Sequence, residues 1–133
     1  MDTNRLRMIA LVLAVLGILD GVYLEIDAIT GIPVACPNTG VIDCGNVLNS
    51  KFADTFGIPN PILGVVFFSV EVILMYVFFN KELLFVYNAI GIAFVIYFLH
   101  VEWVVRSICI YCTVTHILVA ALFIISLLYL SKK

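Results

Sequence analysis

Charge is scarce in this chain. Asp, Glu, Lys and Arg make up only 12% of its 133 residues, whereas 64% are hydrophobic and the mean hydropathy is +1.19. A disordered chain needs the reverse balance, and a soluble domain of this size has too little interior to hide so much apolar surface. Basic residues are few and dispersed, seven Lys and Arg against nine Asp and Glu, with no cluster able to neutralise a run of phosphates. Nucleic acid is therefore excluded as a partner. Proline is confined as well: Pro33, Pro37, Pro59 and Pro61 all fall within residues 27–61, together with half of the eight glycines. A chain this poor in charge belongs in a bilayer.

What remains is four apolar segments, residues 8–26, 62–79, 83–103 and 108–130, each close to the roughly 20 residues of a helical span. A secretory signal peptide competes for the first segment because Arg5 and Arg7 precede it. No small-x-small cleavage site follows it cleanly, however, and three more spans come after. Residues 27–61 form an extramembrane loop, and the other two connections are short, as suits antiparallel neighbours. The expectation is an all-α integral membrane protein: a single domain over residues 1–133, built as a four-helix bundle. Arg5, Arg7, Lys81, Lys132 and Lys133 lie on one side of the spans, and only Lys51 and Arg106 on the other. The excess marks the cytoplasmic face, which puts this multi-pass protein in the cell membrane with both termini inside and the long loop outside. Within that loop Leu48, Phe52 and Phe56 recur every fourth residue, which predicts a short interfacial amphipathic helix ended by Gly57 and Pro59. An ordinary loop with three buried apolar residues is the alternative.

The four cysteines fall on the extracytoplasmic, oxidising side: Cys36 and Cys44 in the loop, and Cys109-Ile-Tyr-Cys112 at the start of the fourth helix. A C-x-x-C in the first turn of a helix suits redox work, because free amide donors and the helix dipole stabilise a thiolate there. Ser107 is the expected N-cap. Cys109 is expected nearest the aqueous side, with Cys112 one turn deeper and facing the bundle interior. Electrons can then move by thiol–disulfide exchange from the loop pair to Cys109, and from Cys112 to a lipid-soluble acceptor. Two alternatives make the loop pair an inert staple with Cys109 and Cys112 as small apolar fillers, or make the four thiolates a zinc site. The second lacks a hydrophilic framework, and two helices separate the pairs.

These features resemble the vitamin K epoxide reductase family. The resemblance rests on four spans, on the run Cys44-Gly45-Asn46-Val47-Leu48-Asn49-Ser50, on Phe56-Gly57-Ile58-Pro59 leading to Gly64, and on Cys109-Ile-Tyr-Cys112. It implies that Cys109 and Cys112 are the catalytic pair beside a quinone, that Cys44 exchanges with Cys109, and that Cys36 meets the partner protein. It also offers Ser50 and Asn60 as quinone contacts, with His116 standing where vertebrate members have Tyr. The implied activity is quinone-dependent thiol oxidation supporting disulfide formation, with a menaquinone, ubiquinone or vitamin K type quinone. A separate thioredoxin-like protein is the implied partner, since the sequence ends at Lys133 without such a domain. Reduction of vitamin K epoxide itself is the alternative, which the Tyr to His departure weakens.

Several polar residues stand inside the spans. Glu71 is either an interhelical contact or a proton relay, and it is the residue on which a reading as a small proton-coupled transporter would rest. Asp20, Glu25 and Asp27 are expected to be solvated or packed on the loop. His100 and Glu102 are expected to form a surface pair, with a proton route for quinone chemistry as the alternative. Trp103 and Tyr111 read as interfacial anchors.

Overall fold

A computed structural model describes residues 2–30, 40–43, 51–52, 54–78 and 80–132. Its long elements are α1 (Thr3–Thr30), α2 (Asn60–Ile73, prolonged by a π-helical turn over Leu74–Phe78), α3 (Lys81–Val105) and α4 (Ile110–Leu130). All four are long and apolar enough to cross a membrane. Helices α2, α3 and α4 begin two residues from the expected starts at 62, 83 and 108, whereas α1 extends past Arg5 and Arg7 to Thr3. Apolar side chains such as Val77, Ile96 and Ile117 are exposed on the outer faces, where lipid replaces water as the surrounding medium.

Local chemistry sets the boundaries. Pro61 near the start of α2 places proline where its missing N–H is harmless. The Asn80 side chain accepts a 3.0 Å hydrogen bond from the Leu83 N–H and so caps α3. The C-terminus of α3 closes with Ser107 N–H on the Glu102 carbonyl at 3.3 Å and Arg106 N–H on that of Trp103 at 3.2 Å. This double closure requires a left-handed residue, and Arg106 supplies it at φ 61°.

Helix α1 packs on α2 and α4, and α4 packs on α3. Leu6, Ala10 and Ala14, at four-residue spacing along α1, are buried with Phe68, Leu122 and Ile125. At Gly17 a Cβ would lie 2.4–2.6 Å from the Phe68 ring, so only glycine allows this approach of α1 to α2. Two polar contacts tie helices together. Asn88 Nδ2 on α3 donates to both carboxyl oxygens of Glu71 on α2, at 3.0 and 3.1 Å, and Asp20 on α1 accepts from the Thr115 hydroxyl on α4. Of the two readings of Glu71, this geometry is that of the interhelical contact. Asp20, expected to be solvated or packed on the loop, is half-buried and turned toward Thr115 by the α1–α4 packing.

The expected amphipathic helix lies mostly outside the described residues, and where it can be followed the chain is not helical. Asp54–Thr55 (β1) pairs antiparallel with Ile58–Pro59 (β2), in register Asp54 with Pro59 and Thr55 with Ile58. Phe56 and Gly57 form the two-residue turn at φ 55° and 79°, the left-handed pairing that matches strand twist. Phe56 is 92% exposed rather than part of a buried stripe. A second extended contact joins the loop to the bundle: Ile42 pairs in parallel with Ile108, with Ile108 N–H donating to the Val41 carbonyl at 2.7 Å and Asp43 N–H to the Ile108 carbonyl at 3.0 Å.

Candidate functional site

The extended backbone at Ile108 delays the start of α4, so the helix begins at Ile110 and its N-cap is Cys109, not Ser107. Ser107 is buried, and its N–H is spent on closing α3. Cys109 Sγ takes the capping position and accepts the Cys112 N–H at 3.2 Å. Sulfur thus does what an N-cap oxygen usually does, at the positive end of the helix. The two cysteines are not bonded to each other. The Cys109 thiol lies below the ordinary thiol range, chiefly because Cys112 hydrogen-bonds to it; burial pushes the other way. Cys112 lies one turn further into the helix and faces the bundle interior, as expected. Cys109 is wholly buried, packed against Val105, Ile110, Tyr111 and Cys112, whereas Cys112 is partly accessible.

Cys112 opens onto a cavity of about 390 Å³ among the four helices. Its walls are mostly aromatic and aliphatic, with Phe67, Tyr87 and Phe98 among them, and Phe67 stacks on Tyr87 at 4.8 Å and 11°. Polar groups converge at the Cys112 end, where Glu102, Thr115 and His116 also line it. His116 Nδ1 is 3.8 Å from Glu102 Oε1, and both atoms are buried without a hydrogen-bond partner. The His116 ring lies parallel to Phe98, 6° between planes and 6.3 Å between centroids. Asn60 lines the other side, where Oδ1 accepts from the Thr55 hydroxyl and Nδ2 donates to the Phe52 carbonyl, each at 2.7 Å. These bonds pin the hairpin over the cavity and leave Nδ2 a second hydrogen to give.

Of the residues singled out in the sequence, the structure gathers Cys112, Asn60 and His116 around one cavity, with Cys109 behind the wall. Cys36, Cys44 and Ser50 lie outside the described residues. Glu102, for which a proton route was the alternative reading, also lines the cavity, as does Thr115, to which nothing in the sequence pointed. Glu102 does not form the expected surface pair with His100: it is 8% exposed and faces His116. The signal available in the sequence was depth, since Glu102 and His116 stand on adjoining helices a few residues either side of the same connection.

A concave apolar cavity with convergent polar groups is the usual form of a small-molecule site. One relative, the thiol-disulfide oxidoreductase LTO1 of Arabidopsis thaliana, is 44% identical over 52 residues, which is 39% of this chain and 14% of that protein. The chain therefore matches only a small part of the length of that relative. The profile of the vitamin K epoxide reductase family matches residues 8–127, a stretch that takes in all four helices, the cavity and every cysteine. On that match the chain belongs to the vitamin K epoxide reductase family.

Proposed function

We propose that this protein is a membrane thiol oxidase that relays two electrons from a thioredoxin-like partner, through Cys36 and Cys44 and then Cys109 and Cys112, to a quinone. The observation that carries this reading is the position of Cys112 in the wall of the apolar cavity, with the Cys109 sulfur capping the same helix one turn behind it. A flat ring bearing carbonyl oxygens fits that cavity: the volume suits a small organic ligand, Phe67, Tyr87 and Phe98 offer ring faces, and His116 and the spare Asn60 N–H are the polar partners. Ser50 joins them by family resemblance. A bound quinone of menaquinone, ubiquinone or vitamin K type supplies the acceptor for two electrons and two protons.

The residues do the rest. Cys36 exchanges with the partner's thiols. Cys44 then attacks a Cys109–Cys112 disulfide at Cys109, and Cys112 leaves as the free sulfur at the cavity wall. Closure of Cys36 on Cys44 releases Cys109, so that the pair at α4 holds both electrons. The hydrogen bonds between residues 41–43 and Ile108 support this pairing, because the chain entering Cys44 runs beside the chain entering Cys109. Five of the seven Lys and Arg fall on the side opposite the cysteines, which supports cytoplasmic termini and an extracytoplasmic relay.

The test is to trap the relay. In Cys112→Ala, Cys109 attacks the loop disulfide but nothing resolves the product, so peptide mapping should find a Cys44–Cys109 crosslink. A Cys36–Cys109 crosslink instead would reverse the loop assignments. No crosslink, with unaltered thiol counts after quinone is added to the wild type, would remove the thiol-oxidase reading. Supplying a quinone in parallel with its epoxide separates general quinone reduction from epoxide reduction.

A further inference from the structure

The cavity holds a buried acid and a buried base that the electron relay does not use. Glu102 on α3 and His116 on α4 line it together with Cys112, and their facing atoms, Oε1 and Nδ1, are 3.8 Å apart with no other partner. A buried polar atom without a partner has given up its hydration for nothing, so two of them facing each other demand a reason. The distance is beyond a hydrogen bond by less than an ångström, and such contacts in active sites often tighten when ligand binds. The parallel Phe98 ring fixes the imidazole plane, so the approach needs only a small shift of Glu102.

We propose that Glu102 and His116 are the proton path of the cavity: Glu102 takes the proton released as the loop dithiol reduces the cysteine pair and returns it through the His116 ring to the acceptor bound beside Cys112. This rests on the quinone-reduction reading above. Its physical ground is that two negative charges are costly in so apolar a place. The Glu102 carboxylate acts to raise the Cys109 thiol, against the hydrogen bond that lowers it. A proton on Glu102 whenever Cys109 is a thiolate removes that conflict.

The balance closes. In the reduced pair Cys109 is a thiolate, Cys112 a thiol and Glu102 an acid. Cys109 sulfur bonds to Cys112 sulfur as the Cys112 S–H breaks, and two electrons with that proton pass to the quinone. The second proton leaves His116 Nε2 for a quinone oxygen while Nδ1 takes the one from Glu102, which gives quinol, a disulfide and a Glu102 carboxylate. When the loop dithiol next reduces the pair, the proton it releases recharges Glu102, and the imidazole returns to its first tautomer by exchange. Glu102 acts through His116 and is in that sense a positioning and relay residue.

The experiment uses the full chain in lipid nanodiscs, wild type beside Glu102→Gln, Glu102→Asp and His116→Phe. Without any quinone, infrared difference spectra of the dithiothreitol-reduced minus the oxidised protein should show a protonated-carboxyl stretch gained on reduction. It should be absent in Glu102→Gln and shifted in Glu102→Asp. With a short-chain ubiquinone, oxidation of the pair should slow by about 100-fold in Glu102→Gln and in His116→Phe, with recovery in Glu102→Asp. Far-ultraviolet circular dichroism and an unfolding midpoint at the wild-type value certify the folding of all three variants. A carboxyl stretch that survives in Glu102→Gln, or wild-type oxidation of the pair by quinone in that variant, overturns the proposal. Failure of the wild type itself to pass electrons to quinone sinks the functional reading instead, and the infrared result still decides whether Glu102 takes the proton.

Discussion

Each half of the bundle buries a glutamate, and the two are treated differently. Toward the termini, Glu71 receives both of its hydrogen bonds from Asn88, which also donates to the Leu84 carbonyl at 2.9 Å, in a core closed by Phe68 and Leu122. Both carboxyl oxygens of Glu71 are thus partnered, and in this pair Asn88 Oδ1 is left without a partner among the described residues. At the cysteine end, Glu102 faces His116 across a gap, with unpaired atoms on both and an open cavity beside them. The first pair joins two helices and is finished by the fold. The second is left for something else to complete. Burial of a charge-bearing side chain in a membrane protein is thus a weak guide to its purpose, whereas the state of its hydrogen bonds is a strong one.

The contrast can be broken in descending order of effect. Gly64 lines the cavity, and a Cβ there meets nothing within 4 Å, so Gly64→Leu should occupy the cavity without strain. Quinone-driven oxidation of the cysteine pair should lose about 100-fold or more in kcat/KM, some 2.7 kcal/mol, with an unchanged or raised unfolding midpoint. Equal kinetics would show that the acceptor binds elsewhere. At the other end, Glu71→Ala strips Asn88 of its carboxylate acceptor and should lower unfolding free energy by about 2 kcal/mol while quinone turnover stays near wild type. A collapse of turnover in a folded Glu71→Ala protein would erase the distinction between the two glutamates. Thr115→Val removes the hydroxyl that Asp20 accepts from and should cost about 0.6–1 kcal/mol, the usual scale for a hydrogen bond between membrane helices.

The smallest effect concerns Cys109. Its thiol is lowered mainly by the hydrogen bond from Cys112, so in a Cys36→Ser, Cys44→Ser background its thiolate absorbance should persist to lower pH than that of an ordinary thiol. A lowered thiol keeps its charge as pH falls, and Cys112→Ala, which removes the largest lowering contact, should move the loss of thiolate to higher pH. A titration that does not move would assign the shift to the helix terminus alone.

The architecture was legible in the sequence because each span is a run of apolar residues whose length the bilayer itself dictates. Cys109 and Cys112 were legible for a related reason, since C-x-x-C at a helix start is local in the chain. Asn60 and His116 came from family resemblance, and both stand at the cavity. What stayed hidden was relational. Glu102 looks like a neighbour of His100 in sequence, yet the α3–α4 packing turns it toward His116. Asp20 and Thr115 meet although 95 residues separate them, a contact that hydropathy does not encode. Of the Leu48, Phe52, Phe56 stripe only the end lies within the described residues, and there a strong two-residue turn at Phe56 and Gly57 outweighs the four-residue spacing. Ser107 misled because the strand-like contact at Ile108 postpones the helix, which hands the cap to a sulfur.

That contact at Ile108 also has a mechanical side. Two backbone hydrogen bonds fasten residues 41–43 to the stretch that leads into Cys109, so a displacement of either strand carries the other with it.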